Sequence, residues 1–394
     1  MLSVSFPSLR RTFVLAVPFV LVACGGSESS QNANGLSAAA KLGEQIFHDP
    51  SLSASGQLAC SGCHIDTQAF ADSQAVPKGG PDMTTSGFRN APSLLYMNTT
   101  PAFFFAGDGT PTGGFNRDGR AVSLLEQARR PLLAAHEMAN GTPDAVVTKL
   151  KAASYAGDFK AVFGQNIFDQ GTAAFDRALF ALASYEREDP KFHPFSSQYD
   201  AFLAGKASLN AQQLRGLALF NNPLKGNCAA CHPSGRGSDG SPPLFTDFSF
   251  DNLGVPRHSD IPANADASYF DLGLCGPERT DLASRTDLCG AFKVPTLRNI
   301  EKTAPYFHNG RFATLEDTVR FYVRRDTNPE EWYPVNADGS VNKFDDLPAA
   351  YKKNVNTSEV PYNRVPGDAP ALDENEIADV VAFLKTLTDG YTAP

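Results

Sequence analysis

The pentapeptide Cys60-Ser61-Gly62-Cys63-His64 returns, in chemistry and spacing, as Cys228-Ala229-Ala230-Cys231-His232. In each, two thiols three residues apart are spaced to add across the two vinyl groups of a haem, and the adjoining histidine is placed to ligate the iron. A chain that attaches two haems must wall in two large flat groups, and this constrains its fold more than any other feature. One copy alone would fit chance or structural zinc, the competing reading. Two copies in a chain with an export signal point to two covalently bound haem c groups.

The 394 residues exceed what one hydrophobic core usually organises, and two attachment motifs suggest two haem domains. A content of 28 Pro and 32 Gly predicts long irregular connections between helices. The formal net charge of −9 excludes nucleic acid as a partner. An acidic surface suits a basic electron donor, although solvated acidic faces are common.

Arg10 and Arg11 precede an apolar run from Thr12 to Ala23 that is too short to span a membrane as a mature helix. The run ends Leu21-Val22-Ala23-Cys24-Gly25, which resembles a bacterial lipoprotein cleavage box; an ordinary secretory signal is the alternative. Residues 1–24 then form a lipoprotein-type signal and 25–37 a flexible tether, with the membrane engaged only through a lipid on Cys24 and the protein in the periplasm. Of seven cysteines, one goes to lipid and four to haem, leaving Cys275 and Cys289. Export predicts a disulfide between them rather than two free thiols, stabilising the fold by roughly 3 kcal/mol.

Leu36 to Phe47 reads as a short helix stopped by Asp49-Pro50, with an apolar stripe that includes Leu42, Gly43 and Ile46. Gly43, Phe47 and Pro50 recur at the same mutual spacing as Gly216, Phe220 and Pro223 ahead of the second motif, an internal duplication. Closing helices are predicted from Thr172 to Tyr185 and from Asp373 to Leu387, the latter with Asp373 and Glu376 as a capping pair and Gly390 at its end. The fold class is therefore all-α, with two cytochrome c-like domains at 38–205 and 206–394, and no strand-rich region.

The intervening motifs are Arg89-Asn90-Ala91-Pro92, Asp118-Gly119-Arg120-Ala121, Gln127, Glu137-Met138, Pro295-Thr296-Leu297-Arg298-Asn299 and Ala304-Pro305-Tyr306-Phe307-His308-Asn309-Gly310, followed by Thr314-Leu315-Glu316. In this order they resemble the bacterial dihaem cytochrome c peroxidases and their relative MauG, over residues 38 to 390. The resemblance implies a peroxidatic haem in the first domain and an electron-transfer haem in the second. It assigns Glu137 and Gln127 to the distal pocket, where peroxide cleavage needs a proton carrier and an orienting polar group. Without it, both would read as surface residues of a helix from Ser123 to Ala139. His136 is either a second proton carrier or, the preferred reading, a solvated histidine.

Between His64 and Arg120 there is no histidine, so the first haem is expected to be open without prior reduction, as in MauG. None of the four methionines, Met1, Met83, Met97 and Met138, lies in the second domain. Tyr322, fourteen residues after His308, stands where the family places the sixth ligand of the second haem. Because Leu315, Val319 and Tyr322 share a helical face, ordinary core is the alternative. The resemblance further implies a calcium ion between the haems, held by Asn90, Thr303 and Pro305; turn residues in Pro-rich loops are the alternative. Arg117 stands where the family has a tryptophan, and the single tryptophan is Trp332. Arginine cannot relay an electron hole; it can pair with a haem propionate or help polarise peroxide.

Three functions compete. The leading one is a periplasmic peroxidase that reduces hydrogen peroxide with electrons from a small donor protein. A MauG-like oxidase acting on a partner protein is favoured by Tyr322 and an open first haem, and opposed by Arg117 and the missing aromatic in Lys225-Gly226-Asn227. A plain dihaem carrier or redox sensor is opposed by Gln127 and Glu137. A homodimer is compatible with all three.

Overall fold

Ser37 opens the first helix by accepting a hydrogen bond at its hydroxyl from the Ala40 amide, and Asp49-Pro50 closes it. In the computed structural model, which describes residues 35–393, ten helices follow in order: α1 (Ala38–Phe47), α2 (Cys60–Cys63), α3 (Leu124–Leu133), α4 (Pro143–Ala152), α5 (Ala156–Phe163), α6 (Ala173–Glu188), α7 (Gln198–Leu203), α8 (Ala211–Asn221), α9 (Leu315–Arg324) and α10 (Glu374–Lys385). Extended structure among these residues amounts to three antiparallel pairs of two-residue strands, such as Phe250–Asp251 with Phe292–Lys293, and isolated bridges such as Tyr306 with Phe312. Long irregular segments link the helices, as the Pro and Gly content predicts. The proposed signal, Cys24 and most of the tether lie outside the described residues.

Two apolar cores form. The first packs α1 across α6, burying Leu42, Ile46, Phe47, Phe175, Leu179 and Leu182. The second packs α8 across α10, burying Phe220, Ile377, Val380, Val381 and Leu384. The duplicated glycines explain the repeat. Gly43 faces the Ala181 carbonyl and Tyr185 Cβ of α6, and Gly216 faces the Asp379 carbonyl and Phe383 Cβ of α10. A methyl group at either position would overlap a main-chain oxygen, so only glycine lets the paired helices approach this closely. Gly216→Ala is expected to cost about 2 kcal/mol, because overpacking outweighs the gain in helix propensity. Thermal unfolding of the haem-loaded variant should show a Tm lower by several degrees, and an unchanged Tm would contradict this crossing.

The cores change over between Phe195 and Tyr199, ahead of residue 205. The reason is α7, whose Tyr199 ring lies edge-on to Phe245 and Phe383 at 5.5 and 5.3 Å. The two sets of packing meet in one compact unit. Arg298 makes a bidentate pair with Asp200 at 2.9 and 2.7 Å beneath the rings of Tyr96 and Phe195, and Asp389 accepts from Tyr96, Ser196 and Asn299. Asp373 and Glu376 cap α10 reciprocally, as expected. The helix ends at Lys385, two residues before the expected Leu387, because Asn299 captures the Leu387 carbonyl and the Asp389 amide and pulls the chain off the helix axis.

Candidate active site and the two haem cavities

Each Cys-x-x-Cys-His motif forms a single turn against a cavity. His64 Nδ1 lies 2.9 Å from the Phe70 carbonyl and His232 Nδ1 lies 2.7 Å from the Phe245 carbonyl. With Nδ1–H donating there, Nε2 of each ring is left to ligate iron, the orientation that proximal histidines require. Both acceptors are phenylalanines with positive φ, 55° and 54°, so the duplication extends to the backbone beneath each haem. Cys60, Cys63, Cys228 and Cys231 carry no disulfide, and burial pushes each thiol up to about 12. Among the described residues no three His, Cys, Asp or Glu side chains converge to hold a metal, which removes the zinc reading. The two motifs instead open onto separate cavities of about 150 and 280 Å³. Paired thiols, an oriented imidazole and a mostly apolar hollow fit one haem c each.

Above the first motif, α3 begins at Ser123, whose hydroxyl caps the Glu126 amide, and carries Gln127. The helix stops at Leu133, short of the expected Ala139. The chain folds back so that the amides of Glu137, Met138 and Asn140 bond the carbonyls of Ala134, Pro131 and Leu132 at 3.0, 3.0 and 3.3 Å. That turn moves Glu137 off the helix surface and into the wall of the cavity that Gln127, Cys60, Cys63 and His64 also line. Glu137 Oε2 is shut off from solvent with no hydrogen-bond partner. Burial pushes this carboxyl above its ordinary range, against the pull of Arg130 and Arg120. His136 is not solvated: its ring packs edge-on to Phe88 at 4.8 Å in the same wall, with Nε2 4.0 Å from Glu137 Oε1, and burial lowers its pKa.

Arg130, Glu278, Arg279 and Glu186 carried no sequence signal. Arg130, one turn beyond Gln127, pairs with Glu278 from the second half, and Arg120 reaches both Glu278 at 3.8 Å and Asp118 at 2.8 Å. The neighbouring Arg279 donates to the Asp118 carbonyl at 2.9 Å. Glu278 and Arg279 sit on the loop between Cys275 and Cys289, whose Cα atoms are 5.0 Å apart with sulfurs at bonding distance. That loop thus braces the first cavity from the other half of the molecule. Glu186 on α6 also lines this cavity, with Oε2 unpartnered and its carboxyl pushed up to about 8 by burial.

Tyr322 lies on the wall of the second cavity, stacked on Phe307 at 5.7 Å and tilted against Tyr362 at 6.1 Å. Its helix-face neighbours Leu315 and Val319 are buried in the core. Among the described residues its hydroxyl has no protein hydrogen bond, and burial raises the phenol well above its ordinary pKa. Met97, from the first half, also reaches this cavity but packs beside Phe115 and Leu124. Trp332 is core, against Phe312 and Phe321, and is not an inter-haem relay.

Asn90, Ala91, Pro92, Asn116 and Arg117 line both cavities and form the partition between them. Here the Asn90 oxygen expected to face calcium is already engaged by a side chain. Arg117 Nε donates to the Asn90 carbonyl at 2.9 Å and Nη2 to Asn90 Oδ1 at 2.6 Å, while Asn90 Nδ2 donates to Gln74 and its amide to His308. Thr303 and Pro305 do border the second cavity, and their carbonyls accept no protein hydrogen bond among the described residues. The single side-chain ligand of the set is nevertheless held by a cation. A divalent ion about 4 Å from a guanidinium would be repelled by roughly 8 kcal/mol at an effective dielectric of 20.

A mostly helical chain with two histidine-backed haem cavities, one carrying a free carboxyl on its distal wall, defines a dihaem c-type oxidoreductase. Residues 37–208 match the family described as di-haem cytochrome c peroxidase. The chain is 31% identical to the methylamine utilization protein MauG of Paracoccus denitrificans over 397 residues, covering 98% of this chain and 97% of that one. It is 32% identical to the cytochrome c551 peroxidase of Nitrosomonas europaea over 305 residues, covering 74% and 76%. The solved diheme peroxidase BthA of Burkholderia thailandensis is similar at 38% identity and a TM-score of 0.82, covering 91% and 87%, and a tyrosine-to-methionine variant of it at 0.80. The chain belongs to the dihaem cytochrome c peroxidase and MauG family and is a peroxidase-type oxidoreductase, a family that carries two haem c groups.

Proposed function

We propose that the protein reduces hydrogen peroxide to water at the first cavity, with electrons delivered by a small redox protein through the second. The observation that carries this is the unpartnered Glu137 Oε2 on the distal wall beside Gln127. When bound, haem supplies the redox-active iron at which the O–O bond breaks. Glu137 accepts the proton of the inner peroxide oxygen and returns it to the outer oxygen, which leaves as water. Gln127 holds the peroxide through its side-chain amide, and Arg120 and Arg130 temper the burial of Glu137. With two electrons and two further protons, one peroxide yields two waters. No histidine stands between His64 and Arg120 to hold the first haem's iron from the cavity side, and Tyr322, whose hydroxyl makes no protein hydrogen bond among the described residues, would be the residue to hold the second haem's iron together with His232. The run Arg10 to Ala23 and the cysteine at 24 support export to the periplasm and a lipid anchor.

The test is steady-state oxidation of a reduced small cytochrome c by this protein. Two donor equivalents consumed per peroxide support the reading, and peroxide left untouched in the presence of donor refutes it. The MauG likeness across nearly the whole chain, with Tyr322, favours a second reading, oxidation of a partner protein's side chain. Its mark would be peroxide consumption coupled to modification of that partner without a donor.

The loop between Cys275 and Cys289 supports an oxidising compartment and makes a further expectation. Cys275→Ala with Cys289→Ala should lower stability by about 3 kcal/mol and, by loosening Glu278 from Arg130, weaken peroxide turnover. Chemical denaturation and peroxide assays on the double variant check both, and normal values in each would show that the loop does not brace the cavity.

A further inference from the structure

Arg117 is a partly buried cation with no carboxylate partner. The carboxylates in its neighbourhood are committed elsewhere: Asp118 to Arg89 and Arg120, and Asp271 to Arg89. Its guanidinium instead spans Asn90, using two donors on two oxygens of one residue. That residue is 3% exposed and has all four of its polar groups bonded. The pair stands in the partition shared by both cavities, where a cation can act on both irons. Lys293 adds a second, partly buried amine on the second cavity, bonded to the Gly114 carbonyl.

We infer that Arg117 serves as the resident cation between the two haems, taking the place of a divalent metal, so that this protein works without calcium. The inference concerns the partition alone and stands whether or not Glu137 performs the proton transfer proposed above. A guanidinium bonded to Asn90 is part of the chain and cannot be chelated, whereas a metal held by one amide oxygen and two main-chain carbonyls would exchange with solvent.

The experiment uses the full protein with both haems attached. Calcium content is measured by plasma mass spectrometry after dialysis against metal-free buffer, and binding of calcium alone by isothermal titration calorimetry. Optical and EPR spectra are recorded before and after a chelator. Wild-type protein is expected to hold no stoichiometric calcium, to bind none saturably below about 1 mM, and to keep unchanged spectra in the chelator. Arg117→Ala, which frees Asn90 Oδ1, is expected to acquire one calcium site. One retained calcium per wild-type chain, with spectra altered on its removal, would overturn the inference. So would a haem-loaded Arg117→Ala protein that still binds none, because the guanidinium would then not be what occupies the site.

Discussion

Glu137→Gln is expected to slow peroxide reduction by about 10²–10⁴-fold, the usual contribution of a positioned acid–base group, with both haems still attached. The substitution keeps the shape of the side chain and removes its capacity to take a proton. Because the carboxyl forms no hydrogen bond at Oε2 and His136 Nε2 lies 4.0 Å from Oε1, no network should collapse with it. The pH profile separates chemistry from structure. Burial raises the Glu137 pKa, and a base must be deprotonated to act. Activity should therefore fall as pH drops through a value above the ordinary carboxylate range of about 4.3. The Gln variant should lose that acid limb. A variant with wild-type rate and profile would remove Glu137 from the proton path.

Tyr322→Met is expected to raise the reduction potential of the second haem by on the order of a few tenths of a volt, since methionine ligation favours ferrous iron and tyrosinate favours ferric. A tyrosinate in this apolar cavity needs a ferric iron to hold it, because burial alone keeps the phenol protonated. Spectroelectrochemical titration of both haems reads the effect, with the first haem as internal control. If neither potential moves, Tyr322 is a packing residue continuous with Leu315 and Val319, and the second iron takes its sixth ligand elsewhere.

The parts of the fold legible in the sequence were those written in local spacing. The haem motifs, the leading and closing helices and the Asp373–Glu376 cap each lie within a dozen or so residues, and the structure forms them. The duplicated Gly43 and Gly216 were visible as a repeat, but their meaning, a carbonyl on the opposite helix, required the crossing itself. At the site, the pairing of Gln127 with Glu137 came from the resemblance, and the geometry supplied what periodicity could not. An apolar pattern from Ser123 to Ala139 reads as one helix, yet carbonyls freed at its end are recaptured by a returning turn that re-aims Glu137 and brings in His136. Glu278 reaches Arg120 and Arg130 of the first cavity's wall across more than a hundred residues of chain, a distance at which sequence carries no register. The engagement of the Asn90 oxygens was hidden for a different reason. Arg117 was recognised as a departure, but only the structure shows that its guanidinium takes the Asn90 oxygens.

The account rests on a first cavity that admits peroxide in the resting protein and carries its own proton carrier. The most direct measurement is stopped-flow absorbance with freeze-quench EPR, mixing stoichiometric hydrogen peroxide with fully ferric protein and no donor. The account predicts an immediate change in the optical spectrum and loss of the high-spin ferric signal of the first haem, both slowed in Glu137→Gln. No reaction until one electron is supplied would contradict it, and would mean that a ligand from this chain closes the first iron at rest.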